Sequence, residues 1–416
     1  MVSTHSIPEH VAYVVGDYPA PSHSFVQREI VGLRARGVDV TTFAIHAAPP
    51  EQLLTALDHE EFARTHAVLP TSRAALVRAV RAAVRHRPAG LLRALRLSQR
   101  AIPGGWRRRL WGLFYVAEAL LVWDRLRETP TRHLHAHHGS QAADVAMLVA
   151  TLATRRGDRW TWSLTMHGPN EFYDVAHFRL AVKLHEADGV VCISHFCRSQ
   201  LMSIAAPEDW AKMRLVRCGV DTDRFAPGPP RPATAGSLRV LSVGRLVPVK
   251  GHALLVRAIA ALRDDGTDVR ATLVGDGPER ERLERLARDL RVADRITFAG
   301  AVGQDRILSF FHEADAFCLP SFAEGVPVVL MEAMACELPV VTTRTMGIPE
   351  LVEDEVGGLL VAPSSVPDLV QALGRLAADL ELRRRLGAGG RERVRDEFEL
   401  GTTVDALGAA LNDAAT

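Results

Sequence analysis

Residues 11–45, VAYVVGDYPAPSHSFVQREIVGLRARGVDVTTFAI, decide the fold. Val11–Val15 is an unbroken apolar run and reads as a buried strand. Gly16-Asp17-Tyr18-Pro19 is expected to break it. Ser24 followed three residues later by Gln27 has the capping-box form that opens a helix. Val26, Ile30 and Leu33 recur at helical spacing, and Gly37 is placed to stop that helix. Val38–Ile45 then reads as a second strand. Strand, glycine turn, helix and strand make a βαβ unit, which begins a parallel sheet.

The same alternation continues outward. Residues 71–129 read as mostly helical, interrupted near Pro88 and at Ile102-Pro-Gly-Gly105. Strands are expected at His133–His137, Trp160–Thr165, Gly189–Ile193 and Arg214–Val216. The stretch PGPPRPATAG at 227–236 reads as a linker and puts a domain boundary near residue 230. Beyond it, strand signals at Val240–Val243, Val269–Val274, Ile296–Phe298, Ala316–Leu319 and Val340–Thr343 alternate with helical segments. The expected architecture is α/β, with Rossmann-like domains at 1–230 and 231–394 facing across a cleft. Ligands are expected where the carboxyl ends of the strands meet that cleft.

Composition fits this reading and narrows the partners. A chain of 416 residues, 47% apolar and 24% charged, has the balance of an ordinary globular protein and excludes global disorder. The net charge of +1 gives no bulk attraction for nucleic acid, and none is expected as a partner. Charge is distributed unevenly, however. Phe62–Ala117 carries twelve Arg and no Asp, Glu or Lys, so the remainder of the chain carries −11. Such a block suggests a surface for something anionic, an anionic membrane included; the alternative is a solvated helical face paired with acids elsewhere. The five cysteines are odd in number and form no CxxC pair, as in a reduced cytoplasmic protein. No signal peptide is apparent. Glu118 interrupts the longest apolar stretch, Leu110–Trp123, which is shorter than the ~20 residues of a spanning helix. The expected location is cytoplasmic, with the arginine block as a candidate for peripheral attachment to the inner face of the cell membrane.

The residues that carry chemistry lie mostly in the second half. Strand Val240–Val243 ends in Gly244-Arg245, and Lys250-Gly251 stands just before a helix. Two cations at a strand's carboxyl end, beside a helix N-terminus with its free N–H groups, suit a diphosphate. The plainer alternative is a βα loop with two solvated cations. After strand Ala316–Leu319 comes Pro320-Ser-Phe-Ala-Glu324-Gly-Val-Pro-Val-Val-Leu-Met-Glu332. Here one carboxylate sits on the loop and one on the following helix, with Pro327 suited to the first helical position. Both carboxylates can accept from sugar or ribose hydroxyls. The alternative is a capping Glu followed by a solvent-facing one.

This segment resembles the Glu, seven residues, Glu motif of retaining glycosyltransferases with the GT-B fold, and the wider pattern is similar to glycosyltransferase family four. Val243-Gly-Arg-Leu246, Gly275-Asp-Gly-Pro278, Phe298-Ala-Gly300, Glu332-Ala-Met-Ala335 and Gly347-Ile-Pro-Glu350 fall in family order, preceded by Cys218-Gly-Val-Asp221 and Phe225. The match covers essentially all of 187–400. The first half matches more loosely. Tyr18-Pro19, Ser24-Phe25-Val26 with Glu29, and His135-Ala-His-His-Gly139 resemble exopolysaccharide and colanic-acid transferases. Thr165-Met-His-Gly168 resembles the family's strand-end His-Gly.

The resemblance implies a nucleotide-diphosphate sugar as donor, a sugar or lipid-linked saccharide as acceptor, no cofactor and no metal. Arg245 and Lys250 would stabilise the leaving diphosphate. Glu324 would contact sugar hydroxyls and Glu332 the ribose. Gly244, Gly325, Val326 and Val328 would bind the donor through backbone groups. His167 would hydrogen-bond the transferred sugar or orient the acceptor, with Gly16 and His138 on the acceptor side. The implied transfer retains configuration by a front-face route, in which the departing diphosphate oxygen takes the acceptor's proton. The last helix, after about residue 395, would cross back onto the N-terminal domain.

Two patterns read otherwise at first sight. Gly275-Asp-Gly277-Pro-Glu-Arg280 looks like a dinucleotide fingerprint, but Arg280 replaces its third glycine. It reads as a tight turn beside the donor site. His133, His135 and His137 share one strand face as metal ligands could, but no acidic or cysteine partner stands nearby in sequence. Two other functions share the features read so far: a non-hydrolysing sugar-nucleotide epimerase and an inactive nucleotide-sugar-binding protein. Donor turnover without an acceptor would mark the first, and any turnover would exclude the second.

Overall fold

A computed structural model describes residues 7–20, 24–100, 106–229 and 235–416. Packing divides the chain into two units, one running to Arg217 and completed by Thr403–Thr416, the other Cys218–Thr402. Residues 218–226, which precede the Pro/Gly-rich stretch, therefore pack with the second unit. Part of that stretch, 230–234, and the expected break at 102–105 lie outside the described residues.

The strands of the first unit are β1 (His10–Tyr18), β2 (Asp39–Ala47), β3 (His66–Leu69), β4 (His133–His137), β5 (Thr161–Met166), β6 (Gly189–Cys192) and β7 (Met213–Leu215). They form one sheet in the order β3-β2-β1-β4-β5-β6-β7, parallel throughout. Its helices are α1 (Ser24–Ala35), α2 (Ala56–Arg64), α3 (Arg73–His86), α4 (Pro88–Ser98), α5 (Trp106–Leu126), α6 (Gln141–Ala153), α7 (Asn170–Tyr173), α8 (Leu180–Glu186) and α9 (His195–Ile204). Val11–Val15 is at most 1% exposed, as a strand covered on both faces must be. Three details of the opening βαβ unit differ from the sequence reading. β1 continues through Gly16 to Tyr18, because β2 is equally long and pairs Asp17 with His46 and Tyr18 with Ala47. A Cβ on Gly16 would meet nothing within 4 Å, so no close approach demands glycine there. Ser24 is the first residue of α1, one place inside the cap position that the motif assigns it. The stop at Gly37 is as expected. Its φ is +86°, and the Gly37 and Val38 N–H groups close back on Arg34 and Leu33.

The second unit has β8 (Ser237–Val243), β9 (Asp268–Val274), β10 (Ile296–Gly300), β11 (Ala316–Leu319), β12 (Val340–Thr343) and β13 (Gly358–Val361), in the parallel order β10-β9-β8-β11-β12-β13. Around it lie α10 (His252–Asp264), α11 (Arg280–Asp289), α12 (Ile307–Glu313), α13 (Val328–Ala335), α14 (Ile348–Leu351), α15 (Val366–Ala378) and α16 (Leu380–Glu397). The last helix, α17 (Leu400–Ala415), leaves this unit and joins the first at Thr403. The core of the second unit is built from strand residues such as Val240, Leu273 and Cys318 against Leu255, Ile259, Leu373 and Leu376 of α10 and α15.

Both sheets begin in the middle and wind outward in two directions. The strand order reverses between β1 and β4 and again between β8 and β11. At such a switch point the connections leave the carboxyl ends in opposite directions and open a crevice, the usual place for a ligand in this kind of sheet.

Candidate functional site

In the second unit the sequence motifs fall on the β8/β11 switch point. Gly244 and Arg245 leave the end of β8. Leu246, fully buried, anchors the loop, and Pro248–Lys250 forms a short turn. Gly251 then opens α10 at φ +67°, so close to the other loop that a Cβ would lie 2.0 Å from the Pro320 carbonyl oxygen. The loop after β11 is tied back by Phe322 N–H donating to the Val249 carbonyl at 2.8 Å. Lys250 Nζ donates to Glu324 Oε1 at 2.6 Å, and Ser321 Oγ donates to the same oxygen at 2.8 Å. Glu324 is thus bound to Lys250 and does not cap α13, whose start carries no side-chain cap. The stem of Lys250 runs alongside Gly244. The Arg245 side chain is exposed and makes no hydrogen bond or ion pair among the described residues.

Helix α13 begins at Val328, with Pro327 immediately before it instead of at the first helical position. Gly325 and Val326 form the approach, and Val326 is buried. A Cβ on Gly347 would come within 2.1 Å of the Gly325 carbonyl oxygen, so the Gly347-Ile-Pro-Glu350 motif braces the Glu324 loop. Glu332 is 3% exposed, unlike a solvent-facing helix glutamate. Cations, two helix starts and a loop of backbone amides therefore converge at the carboxyl ends of β8 and β11, an arrangement suited to a diphosphate.

The dinucleotide-like Gly275-Asp-Gly277 has a packing role. A Cβ on Gly275 would lie 2.0 Å from the Gly244 carbonyl oxygen, and one on Gly277 2.5 Å from that of Leu246. Without side chains there, the loops after β8 and β9 zip together, Gly244 N–H to Val274 O and Leu246 N–H to Asp276 O, both at 2.9 Å. Sequence reasoning missed His252, which is 2% exposed beside Lys250 with neither ring nitrogen hydrogen-bonded. Burial, then the Lys250 charge, lowers its pKa to about 4.

In the first unit the expected acceptor-side residues gather at the β1/β4 switch point and the neighbouring end of β5. His137 ends β4 and His167 follows β5, with His137 Nδ1 and His167 Nε2 2.9 Å apart. The expectation that no acid attends the three histidines is corrected: Glu29 of α1 places Oε2 3.1 Å from His137 Nε2. Folding, not sequence proximity, supplies that partner. His138 turns out of the strand at φ +66° and stands 3.3 Å from Glu171 Oε1. Burial opposes ionisation of Glu171, yet the His138 contact holds its pKa below the usual carboxylate value. Beneath the turn, the fully buried Lys183 donates to the Gly139 and Ser140 carbonyls and pairs with Asp144 at 2.7 Å. Gly16 lies in β1 two residues beyond the last β1–β4 register pair, Val14 with Ala136.

The other two histidines form a ladder. His133 bridges Thr161 and Ser163 and His135 bridges Ser163 and Thr165, all at 2.8–2.9 Å. The register pairs His133 with Thr161 and His135 with Ser163, so each ring reaches its opposite hydroxyl and the next one along. Their nitrogens are taken up by neutral hydroxyls, and burial drives the pKa of His133 down to about 3. Among the described residues no group of three or more His, Cys, Asp or Glu could hold a metal ion. All five cysteines are free and buried.

The arginine block divides. Arg78, Arg87 and Arg100 pair with Asp124, Asp158 and Glu186, and Arg93 donates to the Thr151 and Thr154 carbonyls. Arg73, Arg81, Arg85, Arg96, Arg107 and Arg109 are exposed without an acidic partner among the described residues. Beside them Trp106, Trp111 and Phe114 are 69%, 58% and 57% exposed. No described helix is long and apolar enough to cross a membrane.

The family model described as glycosyl transferases group 1 matches residues 231–393. A GDP-mannose-dependent alpha-(1-6)-phosphatidylinositol monomannoside mannosyltransferase of Mycolicibacterium smegmatis is 34% identical over 275 residues, 62% of this chain and 71% of that protein. A D-inositol 3-phosphate glycosyltransferase of Saccharomonospora viridis is 37% identical over 240 residues, 53% of this chain and 54% of that protein. In fold, the chain is similar to Anabaena HepE, whose crystal structure contains UDP and glucose. That likeness has a TM-score of 0.73 at 16% identity and covers 97% of this chain and 100% of that one.

Proposed function

The chain belongs to the group 1 glycosyl transferases and has the GT-B fold, and from that membership we propose a retaining transferase that moves a hexosyl group from a nucleotide-diphosphate sugar to a saccharide or lipid-linked saccharide acceptor in cell-surface or exopolysaccharide synthesis. The observation that carries the reading is the Lys250–Glu324 pair at 2.6 Å, set between two helix starts at the β8/β11 switch point. Lys250 and Arg245 bind the diphosphate and stabilise the charge that grows on it as the glycosidic bond breaks. Glu324, held by Ser321 and Lys250, presents its carboxylate to sugar hydroxyls. Glu332 receives the ribose, and the amides from Gly325 to Val328 fix the sugar. The acceptor loses its proton to the leaving oxygen, so the protein supplies position and electrostatics instead of a base. His167 and His138 serve the sugar and acceptor side. Of the three functions considered from sequence, family membership favours the transferase over the epimerase.

The test is a thermal-shift screen with UDP, GDP, ADP and TDP, followed by turnover with the matching sugar nucleotide. GDP-mannose is the first donor to try, since the mycobacterial relative is named for it. A bound nucleotide at 100 times its Kd adds about 2.7 kcal/mol of stability. Retention predicts an α-linked product from an α-linked donor, read by NMR of the anomeric proton. Activity persists in EDTA; loss restored by magnesium or manganese overturns the metal-free part of the reading. A nucleotide shift without turnover with any acceptor would leave the inactive binding-protein alternative; neither shift nor turnover would overturn both readings.

The exposed arginines and aromatics of α3–α5 suit an anionic membrane on the cytoplasmic side. Basic side chains near such a surface contribute about 1 kcal/mol each, and aromatic residues wedge between headgroups. A lipid-linked acceptor would be met there.

A further inference from the structure

Of the 50 lysines and arginines, three are lysines: Lys183, Lys212 and Lys250. A guanidinium is planar, whereas an ammonium is a compact charge with three donors spread around it, so lysine suits a place where acceptors converge from three directions. Two of the three lysines occupy such places. Lys212 Nζ donates to the His185 and Ala187 carbonyls at 2.7 and 2.8 Å and pairs with Asp209 at 2.9 Å. Lys183 Nζ has the same set of acceptors, the Gly139 and Ser140 carbonyls at 2.6 and 3.1 Å and Asp144 at 2.7 Å. The two differ in place. Lys212 closes the entry to β6, at the amino end of the sheet, and Lys183 holds the turn that leaves β4, at the carboxyl end.

His138 opens that turn by donating its N–H to the Thr165 carbonyl at 2.9 Å, and the Gly139 N–H goes to Glu171 Oε1 at 3.2 Å. The next two carbonyls, of Gly139 and Ser140, point to one place, where their dipoles would repel without a cation between them. His138 is left-handed at φ +66°, a conformation that persists only where its surroundings over-determine it. A Cβ on Gly139 would lie 2.5 Å from Leu180 Cδ2, so the turn rests directly on α8, the helix that carries Lys183. Lys183 is fully buried; burial works against its charge, and Asp144 supports it. Asp144 also pairs with Arg179, whose guanidinium donates to the Leu97, Ser98 and Arg100 carbonyls at the end of α4. Apolar side chains of similar volume are often as stable as a buried ion pair. Stability alone therefore gives little reason for a cation here, and the shape of the turn gives one.

We propose that Lys183 is a positioning residue for the transfer, its ammonium fixing the turn at 138–140 in the form that receives the acceptor saccharide. The proposal rests on the reading of His138 as an acceptor-side residue given above.

The experiment compares the full wild-type chain with Lys183→Met and Lys212→Met, which lose the same kind of ammonium at opposite ends of the sheet. GDP-mannose and UDP-glucose are the donor probes and a panel of methyl glycosides the acceptor probes. Lys183→Met should raise the acceptor KM roughly tenfold, the size of one hydrogen bond, and leave the donor KM unchanged. Lys212→Met should move neither. Partial unfolding lowers kcat by shrinking the active fraction and moves no KM, so the split separates positioning from stability. An acceptor KM in Lys183→Met equal to that of wild type overturns the proposal, and so does an equal rise in Lys212→Met. Should Lys183→Met fail to fold, the wild type decides. Labelled with 15N-lysine it gives three ammonium signals, of which the buried Lys183 exchanges its protons slowest. Saturating acceptor should shift that signal and leave the Lys212 signal in place; no shift overturns the proposal. A wild type that transfers to none of the probes overturns the transferase reading and takes the proposal with it, whereas a wild type that transfers and is matched by Lys183→Met overturns the proposal alone.

Discussion

Arg245 and Lys250 stand on one loop, yet the structure gives them different surroundings. The Arg245 side chain is exposed and without a protein partner among the described residues, whereas Lys250 is bound to Glu324. Arg245→Ala should therefore lower turnover by roughly 10²–10³-fold, as loss of a single transition-state donor does, and leave the melting temperature nearly unchanged, since exposed substitutions stay within about 0.5 kcal/mol. Lys250→Ala should lower turnover as much and also leave the Glu324 carboxylate short of a partner, with a measurable loss of stability. Steady-state kinetics and thermal melts on both variants decide; near-wild-type rates in both would remove the diphosphate assignment. These residues were legible in sequence because each follows a strand of strong apolar pattern and lies at its carboxyl end. The Glu29–His137 contact was not legible. Helical periodicity tells which face of α1 is buried but not which strand end that face meets, and the two residues belong to elements far apart in the chain.

At the scale of elements, apolar patterning placed His133–His137, Ala316–Leu319 and Val340–Thr343 to the residue. β3 and β13, which open on His66 and on Gly358, were missed. The loops after β8 and β9 make an element-level prediction. Gly275→Ala puts a Cβ against the Gly244 carbonyl at φ +133°. Strain of this kind costs about 1–3 kcal/mol, and relieving it parts the two loops. Nucleoside-diphosphate binding by calorimetry should weaken severalfold or more in this variant although no ligand contact is removed; unchanged affinity would mean that the zipped loops do not shape the site. Helices α3–α5 make another. Sedimentation with liposomes should rise with anionic lipid content, fall with salt and weaken when Arg107 and Arg109 become Gln. Equal partitioning onto neutral and anionic vesicles, or none onto either, would leave these arginines as a solvated face. Neither Arg pairing with Asp124 or Asp158 nor the exposure of Trp111 was readable from the sequence, because an unbroken basic run does not say which of its members find acids.

For the molecule as a whole, buried histidines set the acid limit of stability. His252 and His133 hold folded pKa values near 4 and 3, below the ~6.5 of an unfolded chain. Between those values the unfolded state binds more protons, so their contribution is complete above about pH 6.5 and is lost as pH falls toward 4. For His252 the loss is on the order of 3 kcal/mol. Urea midpoints at pH 7, 5.5 and 4.5 should fall less steeply in His252→Leu than in wild type; parallel curves would clear His252 of that role. The returning tail supports a different prediction. Val404, Leu407 and Leu411 are at most 2% exposed, Val404 packs on Gly32, and Ala414 packs on Gly189. At about 1.5–3 kcal/mol per buried side chain, removing 403–416 takes away much of the 5–15 kcal/mol of a typical domain. Limited proteolysis should then degrade the arginine-rich first unit while a fragment holding β8–β13 survives; equal resistance of both units would refute this. The same tail reverses the order of completion during synthesis. Between Arg217 and Thr403 the ribosome must produce the whole second unit, roughly ten to forty seconds at about 5–20 residues per second. For that interval the nascent first unit displays an uncovered apolar seam at Gly32 and Gly189, so the half translated second is the first to be finished, and the seam is open to a chaperone or to a neighbouring chain on the same message.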